Sequence, residues 1–292
     1  MFELMEQTRE ISALLNLIDD PDEDVFGAVS NKIVEYGKPI IPNLEDLWEN
    51  TISESLQSRI ELLIHRLHYT DLSEDVRQWS LAGHFDLMLG TLLAAKFEYP
   101  DLSTAPVLQE IEKLRRNVWL ELNNYLTPLE QIRIVTGILY GYYGLKGTEI
   151  SYSNVNDFLL HKVLETKKGN QLSNGILYLI ICELLDIPVK AIGIPKQFVL
   201  AYFKPGYSTE SAEAPVSKID FFIEPASGQV FTHKDIESYF KRIAVPPTHF
   251  YFKALSNKRV IQHLLEEMSN CFDTDKTAYK KDELLKLAAL LD

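Results

Sequence analysis

The stretch from residue 169 to 240 constrains the fold more than any other part of the chain. Gly169-Asn170 breaks the chain, and an apolar helix then runs from about Leu172 to Leu185. Pro188 opens a run of strand character, VKAIGI, and Pro195-Lys196-Gln197 separates it from a second, FVLAYF. A third, KIDFFIEP, comes next, and Gly228 turns the chain into VFTHKDIESYF, whose helix Thr232 would cap. A helix followed by antiparallel strands is the order of an α+β core. The stretch 205–217, which contains GYSTESAEAP, is polar and small and reads as a flexible hairpin loop.

The remainder carries the helical period. Ile11, Leu14, Leu15 and Ile18 share one face, and Asp19-Asp20-Pro21-Asp22-Glu23 ends that helix and caps the next. Val25, Val29 and Ile33 form the second face, stopping at Gly37. After Pro39 and Pro42 comes a short helix bearing Leu44, Leu47 and Trp48, then one marked by Leu56, Ile60, Leu63 and Leu67. Helix, acidic-proline turn, helix, glycine and IPNLEDLW together resemble a HEAT repeat. Each such pair has an apolar face too wide to leave wet. One repeat and a half is too few for a free-standing solenoid, so residues 1–80 are expected to pack on the helices that begin at residue 81.

Residues 81–150 are also helical. Leu108, Ile111, Leu114, Val118 and Leu122 form a stripe, and Thr127-Pro128-Leu129-Glu130 has the chemistry of a helix start. Ile132, Val135, Ile138, Leu139 and Tyr142 continue the apolar face to Gly144. Asn156 is placed to cap a short helix running to Glu165. Beyond residue 245, Val260, Ile261, Leu264, Leu265 and Met268 mark one helix and LLKLAALL another.

Composition excludes several classes. No apolar run approaches the ~20 residues that span a bilayer, and the start, MFELMEQTREIS, is acidic and lacks the apolar centre of a signal peptide. The two cysteines, Cys182 and Cys271, lie in apolar helical patterns without a CxxC pair. No disulfide framework, zinc site or other cofactor is therefore expected, and a reducing cytoplasm fits. A net charge of −13 repels phosphate backbones, so nucleic acid is not an expected partner. The short basic pairs Arg115-Arg116 and Lys167-Lys168 read as solvated helix faces.

Four segments together carry a family resemblance: FDLMLGTLLAA at 85–95, YSNVNDFLLHKVLETKKGN at 152–170, QLSNGILYLIICELLDIPVKAIGIPKQFVLAYF at 171–203, and FFIEPASGQVFTHKDIESYF at 221–240. They resemble the bacterial transglutaminase-like family that carries the SirB name, over residues 81–292. The helices after Tyr251 look like the tetratricopeptide-like tail of some members. The resemblance implies a mainly helical α+β protein with a papain-like core, a central helix on a small antiparallel sheet. The domain organisation implied is a HEAT-like segment at 1–80, a transglutaminase-like domain at 81–245 with its core at 151–245, and a helical pair at 246–292.

In active relatives of this fold a cysteine opens the central helix, a histidine on the next strand is the base, and an aspartate on the following strand orients it. The positions corresponding here are Ser173, Gln197 and Glu224. A glutamine amide cannot take and return a proton near neutral pH, so Gln197 cannot be a general base. Ser173 also suits a helix cap, and Glu224 has no imidazole to orient. His161, His233 and His249 lie off the base strand. The triad is expected to keep its geometry without its chemistry, with Ser173 and Gln197 within or near hydrogen-bonding distance and Glu224 behind Gln197. Tyr152, Asn156, Asn170 and Asn174 read either as turn and cap residues or as the polar lining of a cleft. The leading expectation is a non-catalytic protein that binds a protein or peptide. The alternatives are an acyl-transfer or peptidase enzyme using Ser173 with another base, and a binder of small molecules in the same cleft.

Overall fold

The computed structural model describes residues 10–83, 86–207 and 215–292. Most of the acidic start and residues 208–214 of the polar loop lie outside the described residues. The chain divides into two compact units, residues 1–75 and 76–292.

In the first unit, Asp22 caps helix α1 (Glu23–Tyr36) by accepting from the Asp24 amide, and Gly37, at φ 69°, ends it. A 3-10 turn leads into α2 (Ile41–Asn50), and α3 (Glu54–Leu81) comes after it. Ile18, Val29, Ile33, Leu44, Ile60, Leu63 and Leu67 close one core. The acidic-proline turn is fastened by Arg59 of α3. Its guanidinium donates to the carbonyls of Ile18 (3.0 Å) and Asp20 (2.6 Å) and lies 4.5 Å from the Phe26 ring.

The second unit is mainly helical around a small sheet, an α+β architecture. Helices α4 (Leu87–Lys96) and α5 (Thr104–Glu121) come first. The buried stripe of α5 is Val107, Ile111, Leu114 and Val118; Leu108, expected in it, is exposed. Thr127 and Glu130 form a capping box that opens α6 (Pro128–Thr136). One π-helical turn, Gly137–Tyr142, continues it before Gly144, at φ 79°. The short strands β1 (Lys146–Thr148) and β2 (Lys168–Asn170) pair in parallel.

Asn156 does not cap the helix expected to start there. The Asn154 side chain accepts from the Asn156 amide and opens a single 3-10 turn, Val155–Phe158. Buried Leu159 then adopts an extended conformation, which breaks the helical path, and α7 (Leu160–Thr166) begins afresh.

The central helix α8 (Gln171–Glu183) is buried at every residue from Leu172 to Cys182. A helix apolar on all sides must be enclosed, and burying each Leu or Ile side chain contributes about 1.5–3 kcal/mol. The antiparallel sheet has the order β3 (Val189–Ile194), β4 (Gln197–Phe203), β5 (Ile219–Ile223), β6 (Val230–Phe231). Gln197, placed before the strand by sequence, is its first residue, opposite Ile194. Helix α9 (His233–Ile243), capped by Thr232, packs Ile236 and Phe240 on one sheet face with Val199, Phe203 and Phe222. The outer edge of β3 is covered where the Leu255 amide donates to the Ala191 carbonyl at 2.8 Å. Helices α10 (Asn257–Ser269) and α11 (Ala278–Ala289) close the unit. Gly90 of α4 lets α10 approach, since a Cβ there would lie 2.8 Å from Ile261. No described helix is long and apolar enough to cross a membrane.

Candidate functional site

The site begins at the break before α8. Asn170 is its N-cap, and the Asn170 carboxamide oxygen accepts from the amides of Leu172 and Ser173, each at 2.9 Å. Ser173 is therefore in the first turn, where the sequence placed it, but it is only 2% exposed. Its hydroxyl donates to the Asp157 carbonyl at 2.7 Å, with Asn170 Oδ1 3.2 Å away. Gly169 presses on the same spot: a Cβ there would stand 2.7 Å from Ser173 Oγ and 2.3 Å from Asn174 Oδ1. Asn174, also buried, donates to the Lys146 carbonyl at 3.3 Å and ties β1 to the helix. Asn170 Nδ2 and Asn174 Oδ1 are buried without a hydrogen-bond partner among the described residues.

Gln197 is bonded to a different residue of the helix. The Gln171 carboxamide donates to Gln197 Oε1 at 2.9 Å. The expected hydrogen bond between Ser173 and Gln197 is not made. Residues two apart on a helix project about 200° apart, so Gln171 and Ser173 leave on opposite sides. Gly175, four residues after Gln171, shares its side. A Cβ there would lie 2.7 Å from the Phe198 ring and 3.0 Å from Pro225. The side that meets β4 is thus that of Gln171 and Gly175, while Ser173 turns to the 155–158 turn.

Glu224 follows Ile223, the last residue of β5, and organises its own turn. Its carboxylate accepts from the Ala226 amide (3.0 Å), the Ser227 amide (2.9 Å) and the Ser227 hydroxyl (2.6 Å). Both oxygens are engaged. The Gly228 amide closes the turn on the Glu224 carbonyl at 2.8 Å, and the Tyr140 hydroxyl donates to the Pro225 carbonyl. Burial holds the Tyr140 phenol well above its usual pKa. Each of the three triad positions thus has a separate hydrogen-bond set.

Gln197 stands between two cavities and, with Ile194, lines both. The one of about 370 Å³ also holds Val199, Glu224, Tyr239 and Arg242. The one of about 670 Å³ is lined by Tyr152, Gln171, Lys196, Arg259, His263 and Glu267, among others. Tyr152 donates to Glu267 at 2.7 Å, and that bond, with burial, pushes the phenol up to about 12. Of the other expected cleft residues, Asn156 accepts from the Tyr99 hydroxyl at 2.9 Å, and Asn170 and Asn174 serve the helix start. His263 is not singled out by the sequence. It comes from α10, ninety residues after Ser173, and stacks on Phe198 with ring centroids 6.0 Å apart; nothing local to it signals that position.

The three histidines near the triad in sequence lie elsewhere. His161 packs edge-on to Tyr99, and burial lowers its pKa. His233 packs on Phe222, and His249 on Phe250. Cys182 and Cys271 are unpaired thiols; burial raises both, Cys271 to about 11. No cluster of three metal-ligating side chains occurs among the described residues.

The family model of the transglutaminase-like superfamily matches residues 105–266. Protein SirB1 of Salmonella typhimurium strain LT2 is 26% identical over 202 residues, 68% of each chain. The UPF0162 protein YchA of Escherichia coli K12 is 24% identical over 202 residues, again 68% of each. The UPF0162 protein PM0557 of Pasteurella multocida is 25% identical over 132 residues, 45% of this chain and 46% of that protein. No solved structure gives a significant match. With a helix opened by Asn170, an antiparallel sheet whose second strand begins at Gln197, and a family match over more than half its length, this chain belongs to the transglutaminase-like superfamily, among its SirB-type members.

Proposed function

We propose that this protein binds an extended peptide or a segment of a partner protein in the cleft on either side of Gln197, and does so without catalysing acyl transfer. The observation that carries this reading is the Ser173 hydroxyl, buried and donating to a main-chain carbonyl at 2.7 Å. A serine attacks a carbonyl only when a base takes its proton, and an amide oxygen is no such base. Gln197 cannot supply one either. The two cavities that meet at Gln197 and Ile194 suit an extended ligand better than a compact one. The flanking helices, read as HEAT-like and tetratricopeptide-like, would offer further interaction surfaces. Two unpaired cysteines accord with a cytoplasmic setting.

A fluorophosphonate probe should leave Ser173 unlabelled in the native protein, and equally in Gln197→His, because the new imidazole would not meet the Ser173 hydroxyl. Rapid stoichiometric labelling that disappears in Ser173→Ala would establish an enzyme instead. A peptide-display selection should enrich a motif whose binding is lost in Gln197→Trp, which would obstruct the junction of the two cavities. Enrichment that ignores this substitution would place binding elsewhere.

A further inference from the structure

The larger cavity has a local charge that runs against the rest of the molecule. The chain carries a net charge of −13, yet two of its permanent cations, Lys196 and Arg259, line this one space of about 670 Å³, with the His263 ring beside them. Glu267 is the acidic residue in its lining, and its carboxylate already accepts from Tyr152 at 2.7 Å. Glu266 makes a loose ion pair with Arg259 at 3.9 Å and stands 3.9 Å from the His263 ring, beyond hydrogen-bonding distance in both cases, so the Arg259 hydrogen-bond donors are not used by it. Lys196 has no ion-pair or hydrogen-bond partner among the described residues. The Gln171–Gln197 bond uses the Gln197 oxygen and leaves its amide hydrogens unspent. The unspent groups of Lys196, Arg259 and Gln197 are all donors.

A second observation concerns the backbone. Pro195 and Lys196 form the two-residue connection between β3 and β4. The proline ring confines its own φ to negative values, and Lys196 takes φ 62°. Glycine or asparagine is at ease there, and a side chain with a Cβ is strained. A lysine held under that strain, on the rim of a cation-lined cavity, points to a use for its ammonium group.

We infer that this cavity captures a carboxylate, the free C-terminal carboxylate of the bound peptide, between Lys196 and Arg259, with the Gln197 amide as a third donor. Backbone-terminus capture is one recurrent mode of peptide recognition, and a guanidinium matches a carboxylate in two parallel bonds. A singly charged group suits the site, because a dianion would meet Glu266 and Glu267. The cavity volume lies in the ~300–1,000 Å³ range of sites that enclose a ligand of a few residues' bulk. This inference rests on the peptide-binding reading above.

Fluorescein-labelled tetrapeptide pools of identical composition, one with free and one with amidated C-termini, test it by fluorescence polarisation on the full chain. The free-acid pool should bind about tenfold more tightly. That preference should vanish in Lys196→Gly and in Arg259→Gln. Lys196→Gly also relieves the strained φ, so its melting temperature should stay level or rise, which separates lost binding from lost folding. Equal binding of the two pools overturns the carboxylate site and leaves peptide binding standing. Binding of acetate or N-acetylglycine, both monoanions, lost in Lys196→Gly, without binding of either pool keeps the carboxylate chemistry and overturns the peptide as its source. Absence of binding by any of these probes overturns both.

Discussion

Gln171 donates to Gln197 across 2.9 Å and so joins the first residue of the central helix to the first residue of β4. The bond reaches Gln197, the position that the family resemblance gives to the base, from Gln171 and not from Ser173. It links two carboxamides, neither of which moves a proton near neutral pH. The nearby serine is held by another partner on the other side of the helix.

That arrangement makes Ser173 a structural residue. Ser173→Ala removes the donor to the Asp157 carbonyl inside a buried pocket, and an unsatisfied buried acceptor costs about 1–3 kcal/mol. Urea denaturation should show a loss of that size, with the m-value unchanged. No change in stability would mean that the hydroxyl is not holding the 155–158 turn.

The side of α8 that meets the sheet depends on having no side chain at one position. In Gly175→Ala the new Cβ would lie 2.7 Å from the Phe198 ring, and overpacking of this kind costs about 1–3 kcal/mol. Gly27, in α1, has nothing within 4 Å of such a Cβ. Gly27→Ala should instead stabilise by about 0.5–1 kcal/mol through the lower backbone entropy of alanine in a helix. Thermal and chemical denaturation of the two variants should move in opposite directions.

Tyr152 supplies a pH dependence. Its hydrogen bond to Glu267, with burial, raises the phenol from about 10 to about 12. The folded state therefore favours the protonated phenol. The associated stability is fully present below pH about 10 and is lost as pH rises through about 12. Absorbance titration near 295 nm, set against Tyr152→Phe, should show one phenol fewer ionising near pH 12 in the variant. Over the same interval the variant should lose stability less steeply. A missing phenol near pH 10 instead of near pH 12 would mean that Tyr152 ionises like a solvent-exposed tyrosine.

The sequence alone determined the features that depend on neighbours a few residues away. The capping boxes at Thr127 and Thr232, the helix break at Gly169-Asn170, the stop at Gly37 and the strand character of residues 189–203 arise from local hydrogen bonding and from apolar period, and all are present. The Glu224 turn is legible by the same logic, since its carboxylate reaches only to Ala226 and Ser227, but the family pattern assigns that position to a triad. Partners distant in sequence were decided by the tertiary structure. Ser173 meets Asp157 sixteen residues before it, and Gln197 meets Gln171 twenty-six before it. His263 reaches Phe198 from a helix beyond the whole sheet. Whether Ser173 or Gln171 faces β4 depends on how α8 is rotated about its own axis against the sheet, and the close packing of Gly175 on Phe198 and Pro225 holds that rotation. A motif names the residues at a helix start, but the rotation of the packed helix about its own axis selects which of them enters the cleft.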